Sequence, residues 1–123
     1  MPKTVFAVMS DLFFSVKITE AAKRFGLQVS FFKESKDLVS KAKDEHPTLV
    51  IFDLNYEPSQ PLKLISKLKS TVETKNISVI GYLSHVQGEL KQKAQEAGCD
   101  MVLARSAFSQ NLPMIFKRHS STI

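Results

Sequence analysis

A chain of 123 residues that is 43% hydrophobic and 24% charged, with four glycines and five prolines, has the size and composition of one folded domain, 1–123. At this length folding hides roughly two-thirds of the unfolded surface, so a core forms without staples; disordered, collagen-like and disulfide-framework architectures are excluded. No apolar run approaches the ~20 residues of a membrane span, and no basic segment leads into a long apolar stretch, so the expectation is a soluble cytoplasmic domain with no membrane partner. Seventeen Lys+Arg against twelve Asp+Glu give a net charge of +5. A basic balance raises nucleic acid or an acidic partner. The excess is nearly all lysine, however, scattered from Lys3 to Lys117, with three arginines and no arginine-aromatic interleaving. Solvated helix faces account for this, and nucleic acid is not the expected partner. The single cysteine, Cys99, beside Asp100, reads as a small buried hydrophobe at a helix end.

In chain order, Thr4–Met9 is a short β-branched apolar run that predicts a buried strand, followed by Ser10-Asp11, suited to a strand exit or a helix N-cap. Phe14, Ile18, Ala21, Ala22 and Phe25 then recur at helical spacing, with Gly26 as the stop. Gln28–Phe32 predicts a second strand. Ser35–Glu45 predicts a shorter helix carrying Leu38, Val39 and Ala42, ended at His46-Pro47 because the residue before proline avoids helical geometry. Thr48–Phe52 is the most apolar strand and runs into Asp53. A loop with Pro58 and Pro61 precedes a helix with Leu64, Ile65, Leu68 and Val72 on one face. Ile77–Leu83 predicts a fourth strand ending in Ser84-His85, and Gln87–Ala97 a helix with the thin stripe Leu90, Ala94 and Ala97. Met101–Ala104 is the fifth strand, ending in Arg105-Ser106, and a last helix carries Phe108, Leu112, Ile115 and Phe116.

Strands alternating with helices predict an α/β fold with a parallel sheet covered on both faces, doubly wound in the order 2-1-3-4-5. In such sheets ligands bind beyond the carboxyl ends of the strands. Those ends bring together Ser10, Asp11, Asp53, Asn55, Ser84, His85 and Arg105. Carboxylates, a hydroxyl, an imidazole and a guanidinium on one edge of an apolar sheet are not needed for packing. No glycine-rich or flavodoxin-type phosphate loop follows the first strand, so nucleotide fingerprints fail.

The order of elements and these strand ends resemble the receiver domain of bacterial response regulators from Lys3 to Arg118. The resemblance places Asp53 at the phospho-acceptor position, Ser84 at the hydroxyl position and Arg105 at the position of the family's lysine. Asp11 takes the principal metal-ligand position of the acidic pair. Ala97-Gly98-Cys99-Asp100 is similar to the family's Ala-Gly-Ala-Asp run. Ser10 replaces an acid, Arg105-Ser106 replaces Lys-Pro, His85 replaces a small residue, and Val102 stands where the switch aromatic is found. The chain therefore reads as an atypical, stand-alone receiver or pseudo-receiver.

The resemblance implies Mg²⁺ held by Asp11, Asp53 and the carbonyl of Asn55. With Ser10 neutral and Arg105 offsetting one carboxylate, that binding is expected to be weak. Arginine matches a carboxylate as a planar fork, so Arg105 is expected to pair with Asp53 at rest. His85 adds bulk over the acceptor, and Val102 removes the usual rotamer switch coupled to Ser84. Asp11 suits an N-cap of the first helix equally well, and Ser84 an N-cap of the fourth. Adjacent Ser84 and His85 point to opposite faces of a strand, so a Ser-His-Asp nucleophile is not expected, and the chain is not expected to be an enzyme. The expected function is signalling by protein-protein interaction with phosphorylation weak or absent. The alternative is a phospho-aspartate receiver using Mg²⁺ and a histidine kinase. The resemblance also implies a partner or homodimer surface on the last two helices and strand five.

Overall fold

The computed structural model describes residues 3–34, 36–84 and 88–120; the expectations placed on Ser35, His85 and Gln87 lie outside them. Five apolar segments form one parallel sheet in the order β2-β1-β3-β4-β5, as the alternation of strand and helix signals predicts. The strands are β1 (Lys3–Val8), β2 (Leu27–Phe32), β3 (Leu49–Asp53), β4 (Ser78–Leu83) and β5 (Met101–Ala104). The helices are α1 (Leu12–Arg24), α2 (Leu38–Glu45), α3 (Pro61–Ser70), α4 (Gly88–Ala97) and α5 (Arg105–Ser120), with a 3₁₀ turn at Glu57–Ser59.

Successive strand residues point to opposite faces, so each strand feeds two cores. Val5, Ala7, Leu49, Ile51 and Tyr82 meet α1 and α5 through Phe14, Ile18, Phe108, Leu112 and Phe116. Phe6, Val8, Val50, Phe52 and Leu83 meet α2, α3 and α4 through Leu38, Ala42, Ile65, Leu68 and Ala94. Burying each such large side chain contributes about 1.5–3 kcal/mol, which is why these runs leave water as strands.

Three expectations need correction. Val72 is not on the apolar face of α3: the helix ends at Ser70, and Val72 is exposed. The edge strand β2 is only partly covered, with Phe31 exposed, because it has one neighbour and no layer beyond it. Several element ends move by a residue or two; β3 takes in Asp53 through its pairing with Tyr82 of β4. Pro113 lies inside α5 and removes the amide that would bond back one turn, yet the helix continues to Ser120 on its buried Leu112, Ile115 and Phe116.

At the amino ends of β4 and β5 a second polar cluster fastens α3 to the sheet. Asp100 accepts from the Val79 amide at 2.8 Å and from Lys69 Nζ at 2.7 Å, and the same ammonium donates to the Ile77 carbonyl at 2.7 Å. Gly98 turns into this cluster with φ +113°, and a Cβ there would lie 2.7 Å from Lys69 Cγ. Positive φ and lack of room both demand glycine. Cys99 is buried as expected, its thiol pushed up to about 11 by burial.

Candidate functional site

At the carboxyl end of the sheet, β1 exits through Met9 and Ser10 to Asp11. One Asp11 oxygen accepts from the Phe14 amide at 3.1 Å, making Asp11 the N-cap of α1. Its other oxygen pairs with Arg105 Nη2. β3 ends in Asp53, and the chain turns so that the Asn55 amide donates to Asp53 Oδ1 at 2.9 Å. The Asn55 side chain then bridges to β4: its Oδ1 accepts from the Ser84 amide at 2.7 Å and the Ser84 hydroxyl at 2.9 Å. β5 runs without a loop into α5, so Arg105 is the first residue of that helix.

The guanidinium is seated on an aromatic stack. Arg105 Cζ lies 4.6 Å from the centre of the Phe14 ring. Phe14 meets Tyr82 edge-on at 5.1 Å, and Tyr82 stacks on Phe108 at 5.1 Å and 12°. A cation over an aromatic face gains about 0.5–1 kcal/mol at exposed sites. Tyr82 and Phe108 are buried, so neither forms a surface patch. Burial also drives the Tyr82 phenol far above its usual range, leaving its O–H to approach Met9 Sδ at 3.8 Å.

Arg105 pairs with Asp11, not with Asp53 as the planar-fork argument expected. Two features decide the partner. The ring of Phe14 holds the guanidinium over the start of α1, and the Asn55 amide draws the Asp53 carboxylate into its own turn. Charge still links all three groups. The Asp11 carboxyl is held below its usual range, first by the Phe14 amide and then by Arg105, against the opposing effect of burial. Asp53 is pushed up by burial, with the Asn55 amide and the more distant Arg105 charge opposing and Asp11 adding to the rise.

Asp11, Asp53, Asn55, Ser84 and Arg105 therefore gather at one strand edge, through two linked sets: Asp53–Asn55–Ser84 and Asp11–Arg105. The two readings of Asp11 coexist, since it caps α1 and also faces the cluster. The Ser84 hydroxyl is bound to Asn55, and its expected role as N-cap of α4 falls on residues outside the described ones. Sequence reasoning missed Phe14 as the seat of Arg105 and counted it only as core. Its signal was its place three residues after Asp11, within the helix turn that Asp11 caps.

The residues fit Mg²⁺ poorly. Among the described residues two carboxylates face the site, one of them already holding a guanidinium, and no three His, Cys, Asp or Glu side chains converge as metal ligands. A divalent ion on Asp11 would share that carboxylate with Arg105 and meet its positive charge.

No family model matches the sequence, and no curated protein sequence matches it. Solved structures do match. A response regulator from Hahella chejuensis superposes with a TM-score of 0.87 at 15% identity, covering 98% of this chain and 96% of that one. The chemotaxis response regulator CheY4 of Vibrio cholerae gives 0.81 at 15% identity, with 97% and 99% covered. The chain has the fold of response-regulator receiver domains. The Mn²⁺-bound form of the response regulator Rcp1 gives 0.76 at 15% identity, with 99% and 97% covered. Within this receiver fold the candidate cluster lies where the doubly wound topology puts ligands, beyond the strands' carboxyl ends. No helix among the described residues is long and apolar enough to cross a membrane.

Proposed function

We propose that this receiver-fold chain is a signalling module that acts by binding another protein, with aspartyl phosphorylation weak or absent. The observation that carries the reading is the Arg105–Asp11 ion pair. It puts a fixed cation on the carboxylate that the sequence resemblance makes the principal metal ligand. At a few ångströms and an effective dielectric near 20, a like charge opposes divalent binding by on the order of a few kcal/mol before solvation costs. Solvent screening at the part-exposed Arg105 reduces this to about the 1.4 kcal/mol of a tenfold change. The Ser84 hydroxyl proton is engaged with Asn55, so a phosphoryl group on Asp53 would also have to break that contact to gain Ser84 as a donor.

A second reading, a phospho-aspartate receiver served by a histidine kinase and Mg²⁺, is supported by Asp53 itself. It ends β3 beside Asn55 and Ser84 and within the field of Arg105. Intact mass after incubation with Mg²⁺ and acetyl phosphate, with Asp53→Asn alongside, separates the two. The expected result is no gain of a phosphoryl group. A labile gain of one phosphoryl group on most of the protein, absent from Asp53→Asn, would overturn the first reading and support the second, and no gain would leave phosphorylation only to a dedicated kinase.

A further inference from the structure

Both helical layers are basic, a net +5 on α1 and α5 and a net +3 on α2, α3 and α4. In α1 and α5 the basic residues are Lys17, Lys23, Arg24, Arg105, Lys117 and Arg118, and the only acidic residue is Glu20. Six against one is +5, the net charge of the whole sequence, so the remaining acidic and basic residues cancel. The same two helices hold Leu12, Phe13, Val16 and Met114, four of the seven large apolar side chains exposed among the described residues. Phe13 is 90% exposed. It lies one turn before Lys17, so the two share a face. Between the starts of α1 and α5 a 410 Å³ cleft is lined by Phe14, Lys17, Ser84, Arg105, Ser106 and Ser109. It presents two cations and three hydroxyls, and Arg105 engages Asp11 through one edge of a fork that carries five donors.

We infer that the α1–α5 layer docks an acidic protein segment bearing apolar side chains, with a partner carboxylate entering the cleft between Lys17 and Arg105. This rests on the reading of the chain as a protein-binding module and names its partner's chemistry. Positive potential selects an acidic partner and speeds encounter. Exposed Phe13, Leu12 and Val16 need apolar cover that a phosphate backbone does not offer, and a recess between two cations admits a protruding side chain better than a flat lipid surface does. A second copy of this chain is disfavoured, because each copy would bring a net positive face to the contact. The surface shares α5 with the one on α4, β5 and α5 that the resemblance implies and differs from it in using α1.

The test is selection of a randomised peptide library on the intact protein, followed by amide NMR of an enriched peptide. Duplex DNA and anionic phosphatidylserine vesicles run beside it. Enriched peptides should combine Asp or Glu with Leu or Phe, and their shifts should centre on Phe13, Lys17, Ser106 and Ser109. Lys17→Glu should weaken binding on the order of tenfold or more. Phe13→Ser should weaken it independently, and both variants should keep the parent's melting curve because both side chains are exposed. Neutral or basic peptides, no enrichment, or tighter binding of duplex or vesicles would overturn the inference. Peptides that bind instead on α3 or α4 would also overturn it, while leaving the protein-binding reading standing.

Discussion

Two ion pairs, at opposite ends of the same sheet, show how one chemistry serves two purposes. At the amino ends, Lys69 and Asp100 are tied several times over. The ammonium also holds the Ile77 carbonyl, the carboxylate also holds the Val79 amide, and the lysine side chain is only 17% exposed. At the carboxyl ends the Arg105 side chain is 42% exposed, and its partners are one carboxylate and one ring face. The first pair adds a backbone partner to each charged group and joins three elements, which makes it a fastener even with the Asp100 side chain 51% exposed. The second leaves donors open to water at a strand edge, which makes it available to a ligand.

The largest expected effect belongs to the fastener. Asp100→Ala strands the Lys69 ammonium and the Val79 amide together, and urea unfolding should show a loss of about 2–3 kcal/mol. A loss below half of that would mean that water replaces the carboxylate freely and the contrast between the two ends fails. Arg105→Ala should do the reverse. Stability should change by no more than about 1 kcal/mol, while Mn²⁺ affinity rises on the order of tenfold as Asp11 becomes free for a cation. Calorimetric titration of the variant checks this, and unchanged affinity would remove Arg105 from the account of weak metal binding.

The smallest effect lies in acid. Asp11 has its folded-state carboxyl below the ordinary 3.8, so its stabilising contribution is present above that value and is lost as pH falls through the folded one. Asp53 lies above 3.8 when folded. Its ionisation therefore costs stability as pH rises through the interval above 3.8, and acid restores it. Asp11→Asn, which keeps a capping side chain, should flatten the acid loss of unfolding free energy, and Asp53→Asn should steepen it. Parallel curves for both variants would mean the two carboxylates do not differ in setting.

The sequence made the sheet legible because its central strands are apolar on both faces and its helices repeat their apolar positions every three or four residues. Leu49–Phe52 and Phe14–Ile18–Ala22 are read correctly for that reason. Val72 was misplaced because it continues the spacing of α3 past the point where the helix stops at Ser70. The site residues were legible as a set, since each ends a strand or follows one closely. Their pairing was not. Which carboxylate Arg105 meets depends on the ring of Phe14 and on a turn made by the Asn55 amide, and both are tertiary facts that spacing does not encode.

The direct passage from β5 to α5 has one more consequence. With Ala104 the last residue of a strand and Arg105 the first of a helix, no slack backbone lies between them. Arg105 can change partner only by turning about its own side-chain bonds, a motion that exposed side chains make in picoseconds to nanoseconds. A ligand exchanging Asp11 for itself should then leave the amides from Leu103 to Phe108 without millisecond exchange broadening, and the event should be recorded in the guanidinium and Phe14 ring resonances.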